Sequence, residues 1–335
     1  MAIKLSIGTP LFDYHITLPH SFTYLLYSDG GNFEENELLA RSIQELLKHH
    51  VKVVLITAAG YGLDGKKYAV RLKGLFNSFI AAKLTAEEIG RFYVFGGECN
   101  YLMRCEVDDR DDTEVASGVI LVPVPIEEWQ GDHLHGPKPS KWNQEEITNI
   151  LDTAESVMNQ TVEDLKLRAK ILRKERAVGL FPGGDEMAAK FPKGHGSKKL
   201  KREALDECVL RILNQLERQR PPITIPYCVF NGGRDAWIDI GNKSVGIQCL
   251  QAYFSLEPAN CLHVGDQFTL IGNDLAARQV CPTIWITKPQ ETEKILEHLL
   301  KYLGICEVPI KRRLTKDSDI LVFDAYSGNF GSENK

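Results

Sequence analysis

The sequence predicts an α/β protein: a Rossmann-like, doubly wound parallel sheet that carries a large inserted α/β cap. Short apolar runs alternate with amphipathic helical stretches, the pattern of a parallel sheet with crossover helices. The runs are apolar almost throughout, as from Val51 to Ile56, which marks strands covered on both faces. Several stop on small or acidic residues, and so place polar groups at the carboxyl edge of a sheet, where open α/β folds bind ligands.

The elements follow in order. Leu11 to Leu18 and Phe22 to Tyr27 are strand-like, separated by Pro19, and Tyr27 to Gly31 is a turn. Glu34 to His50 is a helix with Leu39, Ile43, Leu46 and Leu47 on one face. The Val51 to Ile56 strand ends on Thr57, a helix runs from about Lys66 to Ala82, and Thr85 with Glu88 forms a capping box. Phe92 to Phe95 is a strand. An acidic run leads into the Val119 to Val124 strand. Asn143 to about Arg176 reads as one long helix, Leu180 to Gly196 as a glycine- and proline-rich loop, and Ser197 to Arg218 as a helix. Strands at Ile223 to Phe230, Trp237 to Ile240, Leu262 to Val264 and Thr283 to Ile286 alternate with helices at Asn242 to Phe254 and Glu291 to Tyr302. The expected division is an atypical segment 1–25, core 26–103, cap 104–222, core 223–315 and a polar tail 316–335.

The 335 residues suffice for a large core and more than one domain. With 40 basic and 45 acidic residues, the net charge of −5 argues against a nucleic-acid polymer as partner. No apolar run reaches the ~20 residues of a membrane span, and the first 21 residues make a poor signal peptide. The eight cysteines show no Cys-x-x-Cys pair, and several sit in apolar runs. They read as buried free thiols of a cytoplasmic protein.

The chemistry gathers at strand ends. Cys261 to Val264 runs into Gly265-Asp266, and Asp274 follows eight residues after Asp266. Such a pair of hard carboxylates suits Mg²⁺ with a substrate phosphate. Thr57 ends a buried strand, where its hydroxyl and the following N–H groups can hold a phosphate oxygen. Lys243 opens a helix against the helix dipole, and from there it can neutralise a phosphate. The basic run Arg168 to Arg176 reads as a solvated helix face from which Arg173 or Arg176 could close over a phosphate. His133, His135 and His195 lack a third ligand and read as surface.

This order of Thr57, a long insert, Asn242-Lys243-Ser244 and Gly265-Asp266…Gly272-Asn273-Asp274 resembles the haloacid dehalogenase-like phosphatases. Longer stretches resemble one branch of them, the IMP-specific 5′-nucleotidases: Leu55 to Tyr61, Gly96-Gly97-Glu98-Cys99-Asn100, Arg176 to Leu180 and Phe230 to Lys243. The resemblance implies Mg²⁺-dependent hydrolysis of IMP to inosine and phosphate. In that superfamily one aspartate attacks phosphorus and a second, two residues on, serves as acid and base. Asp266 and Asp274 would hold the metal, while Thr57 and Lys243 offset phosphoryl charge. The nucleoside would be bound through Asp29, Asn231, Gly232, Arg234, Asp235, Asp239 and Lys243. The family tends to assemble, which implies a homo-oligomer.

The chain departs from the family at the first motif. Anchored on Leu26-Tyr27-Ser28-Asp29-Gly30, the paired aspartates should fall at positions occupied here by Ser21 and Thr23. An upstream near-copy, Phe12-Asp13-Tyr14-His15-Ile16-Thr17-Leu18, offers Asp13 as a displaced nucleophile. The family's regulatory segment ahead of this motif is also missing, which reads as a truncated or misjoined start. The alternatives are a catalytically impaired nucleotide-binding or regulatory protein and a sugar-phosphate phosphatase.

Overall fold

The computed structural model describes residues 15–18, 37–108, 118–130, 138–184 and 199–305. The core contributes β1 (His15–Leu18), α1 (Glu37–Lys48), β2 (Lys52–Ile56), α2 (Gly65–Ala81), α3 (Ala86–Ile89), β3 (Phe92–Phe95), the single turn α4 (Gly96–Cys99), β4 (Tyr101–Val107), β5 (Val119–Pro123) and α5 (Ile126–Trp129). The cap contributes α6 (Gln144–Asp164), β6 (Ala169–Arg173), β7 (Ala177–Pro182), α7 (Arg202–Glu217), β8 (Tyr227–Asn231) and β9 (Ala236–Ile240). The chain then returns to the core through α8 (Lys243–Tyr253), β10 (Cys261–Gly265), β11 (Thr283–Trp285) and α9 (Pro289–Tyr302).

The core sheet has seven strands in the order β11-β10-β1-β2-β3-β4-β5. From β11 to β3 all neighbours are parallel, and β4 and β5 add antiparallel strands at one edge. Successive residues of a strand face opposite ways, so β2 feeds two cores. Val53 and Leu55 pack with α1, α2 and α9 residues, whereas Val54 and Ile56 pack with Phe95, Trp129, Ile247 and Leu250. Both faces are therefore covered, as the apolar runs predict. Thr85 and Glu88 form the expected reciprocal cap.

The cap is a four-stranded antiparallel sheet, β6-β7-β9-β8, with α6 and α7 on one face. Ala236, Ile238 and Ile240 of β9 and Val178 and Leu180 of β7 face those helices. Trp237 and Asp239 alternate onto the other face, toward the core.

The sheets divide the chain elsewhere than at 104 and 222. β4 and β5 belong to the core sheet, and β8 and β9 to the cap sheet. Antiparallel strands appended to a parallel sheet carry no distinct sequence signal. The expected long helix stops at Asp164, and Lys166 turns left-handed at φ 51°. Beyond it Ala169 and Ile171 pack inward while Lys170 and Leu172 alternate outward, so the period is that of a strand. Leu180, expected in a loop, lies in β7 between Ile171 and Ala236. The Phe22 to Tyr27 strand and the 316–335 tail fall outside the described residues.

Candidate active site

Thr57, Lys243, Asp266 and Asp274 meet at the carboxyl edge of the core sheet. Thr57 follows β2 directly and is fully buried. Its N–H donates to Phe95 O at 2.9 Å and its Oγ1 accepts from Ala59 N at 3.1 Å, which leaves the hydroxyl hydrogen for another acceptor. The Tyr68 hydroxyl fixes the loop beyond, donating to Ala59 O at 2.8 Å and accepting from Tyr61 N at 3.1 Å.

Asn242 caps α8 through Val245 N and so aims Lys243 back over the sheet edge. The Lys243 ammonium is fully buried and donates to Asp274 Oδ1 at 2.6 Å and Asn273 Oδ1 at 3.1 Å. Burial opposes its charge, but Asp274 and Glu98 outweigh burial and raise its pKa.

Asp274 is occupied on both oxygens. Oδ1 accepts from Lys243 and, at 2.8 Å, from His263 Nε2, while Oδ2 accepts from Asp266 N at 3.1 Å and Gln267 N at 2.8 Å. Burial works against its charge. The Lys243 ammonium and the hydrogen bonds nonetheless hold its carboxyl well below the usual range. Burial lowers the His263 pKa, so a neutral imidazole presents its Nε2 hydrogen to the ionised Asp274.

Asp266 is different. Its Oδ1 is buried without a hydrogen-bond partner, and burial, then the Asp274 charge, push its carboxyl up to about 6. A cation would relieve both conditions. Of the carboxylates the sequence offers to Mg²⁺, Asp266 has an oxygen to give and Asp274 does not. Among the described residues no three His, Cys, Asp or Glu side chains converge as a metal site. A complete Mg²⁺ site thus does not fit the described residues alone.

The open face of the cap sheet roofs this edge. The Lys174 ammonium stacks 4.6 Å from the Trp237 ring and reaches the loop after Thr57, where a Cβ built at Gly60 would lie 3.5 Å from it. Burial, then the Glu98 charge, drive the Asp239 carboxyl up, and its Oδ2 is buried without a partner. Arg176 has a buried Nη1 in the same condition.

The other expected contacts scatter. The Asn231 amide donates to Asp206 Oδ1 at 2.6 Å, and its Oδ1 accepts from Gly233 N at 2.7 Å. Gly232 packs so tightly that an added Cβ would come within 2.2 Å of Asp235 Oδ1. Arg234 is exposed on this hairpin. His15, within the upstream near-copy, pairs with Lys52 and Cys261, at the opposite sheet edge from Thr57 and Asp266. Asp13, Asp29, Ser21 and Thr23 lie outside the described residues. Arg173 pairs with Asp152 and Glu155 of α6. His263 and Asn273 were not expected. A lone histidine in an apolar strand reads as core, and Asn273 was visible only as a neighbour of Asp274.

A parallel core with a cap inserted after β5, and a threonine, a lysine and an aspartate at one sheet edge, is a capped Rossmann-like α/β architecture with its polar residues at the carboxyl edge of the sheet. More narrowly, the chain belongs to the IMP-specific 5′-nucleotidase family, whose model matches residues 16–296. It is 36% identical over 282 residues to the IMP-specific 5′-nucleotidase 1 of Yarrowia lipolytica, which covers 83% of this chain and 61% of that one. To the IMP-specific 5′-nucleotidase 1 of Plasmodium falciparum it is 34% identical over 275 residues, covering 82% and 57%. It superposes on the structure of N-terminal truncated, IMP-bound Plasmodium falciparum IMP-nucleotidase with a TM-score of 0.71 at 33% identity, over 86% of this chain and 68% of that one. The chain spans about three-fifths of the length of these curated relatives. Among the described residues no helix is long and apolar enough to cross a membrane.

Proposed function

We propose that this chain binds IMP in the cleft between core and cap and belongs to a phosphoric monoester hydrolase that releases inosine and phosphate. One observation carries the reading: two buried donors at the core-sheet edge, Thr57 and Lys243, lie beneath a cap face with buried, unpartnered polar atoms at Asp239 and Arg176. Buried groups left without partners are costly, and a ligand hydrogen-bonding to them recovers that cost. Lys243 and the Thr57 hydroxyl would take the phosphoryl oxygens. Asp239 would accept from nucleoside hydroxyl or N–H groups, and Arg176 would donate to a base oxygen or nitrogen.

Mg²⁺ would draw on Asp266, with its remaining ligands from outside the described residues. The last residue of β1, Leu18, pairs with Leu55, two residues short of Thr57. Ser21 and Thr23 follow in the sequence. That substitution favours one second reading, a nucleotide-binding relative without turnover. The free, mostly buried thiols accord with a cytoplasmic setting.

The test is phosphate release from IMP, with AMP and GMP as controls, in Mg²⁺ and in EDTA. It compares this chain, its Asp13→Asn variant and its Ser21→Asp/Thr23→Asp variant. The expected result is turnover of IMP that appears or rises when aspartates stand at 21 and 23. Turnover by the unaltered chain that disappears with Asp13→Asn would assign the nucleophile to the displaced motif. A folded double variant that binds IMP without hydrolysing it would leave the binding protein. One that does not bind IMP would end both readings.

A further inference from the structure

The turn Gly96 to Asn100 has no part in the proposed chemistry, yet its backbone is strained and it touches the Thr57 loop, the end of β9, α8 and Asn273. Gly97, Glu98 and Cys99 take positive φ in succession, 58°, 51° and 71°. The other non-glycine residues with positive φ among those described are His50, Lys83, Lys166 and Ser255. Each is exposed and lies two residues past a helix end, where a left-handed residue ordinarily closes the helix. Glu98 and Cys99 are buried and close no helix of comparable length. Strain of this kind persists only where the surroundings impose it, and it gathers at functional sites.

Those surroundings are the phosphate edge and the cap junction. Gly97 N donates to Ala59 O and Glu98 N to Thr57 O, each at 3.0 Å. Asn100 Nδ2 donates to Ile240 O, the last residue of β9, at 2.6 Å. Gly246 of α8 lies so close that a Cβ there would meet Cys99 Sγ at 2.1 Å. The Glu98 side chain thus enters the site, where its Oε2 accepts from Asn273 Nδ2 at 3.3 Å. An amide has one donor end and one acceptor end. With Nδ2 pinned by Glu98, Oδ1 faces Lys243 Nζ, at 3.1 Å. Turned over, the amide would set a donor against the ammonium.

We propose that Glu98 is a positioning residue for Lys243: its carboxylate sets the Asn273 amide, and the amide oxygen, with Asp274, sets the ammonium at the phosphate edge. The proposal rests on the phosphatase reading for its catalytic consequence, and on geometry alone for the link itself.

The test compares Glu98→Met, which keeps length and bulk without an acceptor, with Glu98→Gln, which keeps an acceptor oxygen. Asn273→Leu cuts the same link from its other end and leaves the strained turn intact, so it serves if Glu98→Met does not fold. All are made in the Ser21→Asp/Thr23→Asp chain and assayed on IMP with Mg²⁺. Glu98→Met should lose roughly tenfold to a hundredfold in kcat with KM within about threefold, and Glu98→Gln should stay within about threefold in both. Glu98→Met/Asn273→Leu should be no worse than Asn273→Leu, because both break one chain of contacts. A Glu98→Gln variant as damaged as Glu98→Met, or losses that multiply in the double variant, would overturn the proposal. If the parent does not hydrolyse IMP, the functional reading fails and the link is judged by NMR of the Asn273 side-chain amide. Signals protected from exchange in the parent and Glu98→Gln, and exposed in Glu98→Met, would support the link. Signals indifferent to Glu98→Met would overturn it.

Discussion

Lys243→Met tests the electrostatic centre of the site. The ammonium is wholly buried, 2.6 Å from an equally buried Asp274 carboxylate. Removing one partner of such a pair costs about 3–5 kcal/mol, because the other charge is stranded. Asp274 would keep the hydrogen bonds from His263, Asp266 N and Gln267 N, so the lower end, about 3 kcal/mol, is expected. For a chain of this size that amounts to a fall in Tm of roughly 6–12 °C. Lys243→Met/Asp274→Asn should recover at least half, since both charges then leave together. The pH dependence has a definite sign. The Asp274 pKa is depressed below its ordinary 3.8, so its contribution is present above that value and is lost as pH falls through the folded-state pKa. The deficit of Lys243→Met should therefore be full at pH 7 and shrink below about pH 4. Urea denaturation at pH 7 and pH 3.5 reads all of this. A Lys243→Met variant within about 1 kcal/mol of the parent at pH 7 would refute the reasoning.

Burial raises the Glu98 carboxyl from 4.5 to about 7, so the folded protein should lose stability as pH rises across that window. Glu98→Gln should then be the more stable form at pH 8, by about 3 kcal/mol, and nearly equal at pH 5, by urea denaturation at each pH. Asp266→Asn should abolish the binding of Mn²⁺, used as a probe for Mg²⁺, in a folded chain. Calorimetry showing undiminished binding would remove Asp266 from the metal site. Gly246→Ala should destabilise by about 1–3 kcal/mol through its clash with Cys99 Sγ. Adding Cys99→Gly, which also suits φ 71°, should restore most of it in thermal denaturation.

Much of this site is legible in the order of residues alone. Strands buried on both faces announce themselves as unbroken apolar runs, and a polar residue ending such a run sits at the edge that binds. That places Thr57 and Asp266. Lys243 betrays itself by opening a helix where its charge is unfavourable. What the sequence hides is which contacts close. Asp274 looks like a second metal carboxylate because spacing shows where an oxygen is and not what already occupies it. His263 looks like core because an apolar strand surrounds it. Ala169 to Arg173 is read as helix because its short alternation follows directly on the apolar stripe of α6, although only three residues separate it from its strand partner β7. Glu98 stands in a recognisable motif, but only the left-handed backbone shows that its side chain turns inward.

Two residues, Gly241 and Asn242, separate the last strand of the cap from Lys243. Gly241 is left-handed at φ 95°, and its N–H is tied to Pro226 O at 2.7 Å. So short a joint has almost no slack, and the lysine inherits its position from the cap as much as from the core. A residue added or removed at this junction would shift the lysine directly. A chimera that exchanges caps between relatives by cutting at Gly241 would import a foreign lysine placement along with the foreign specificity. Recombination here trades whole modules, and its successful crossovers should fall on the far side of the lysine, within α8 or beyond.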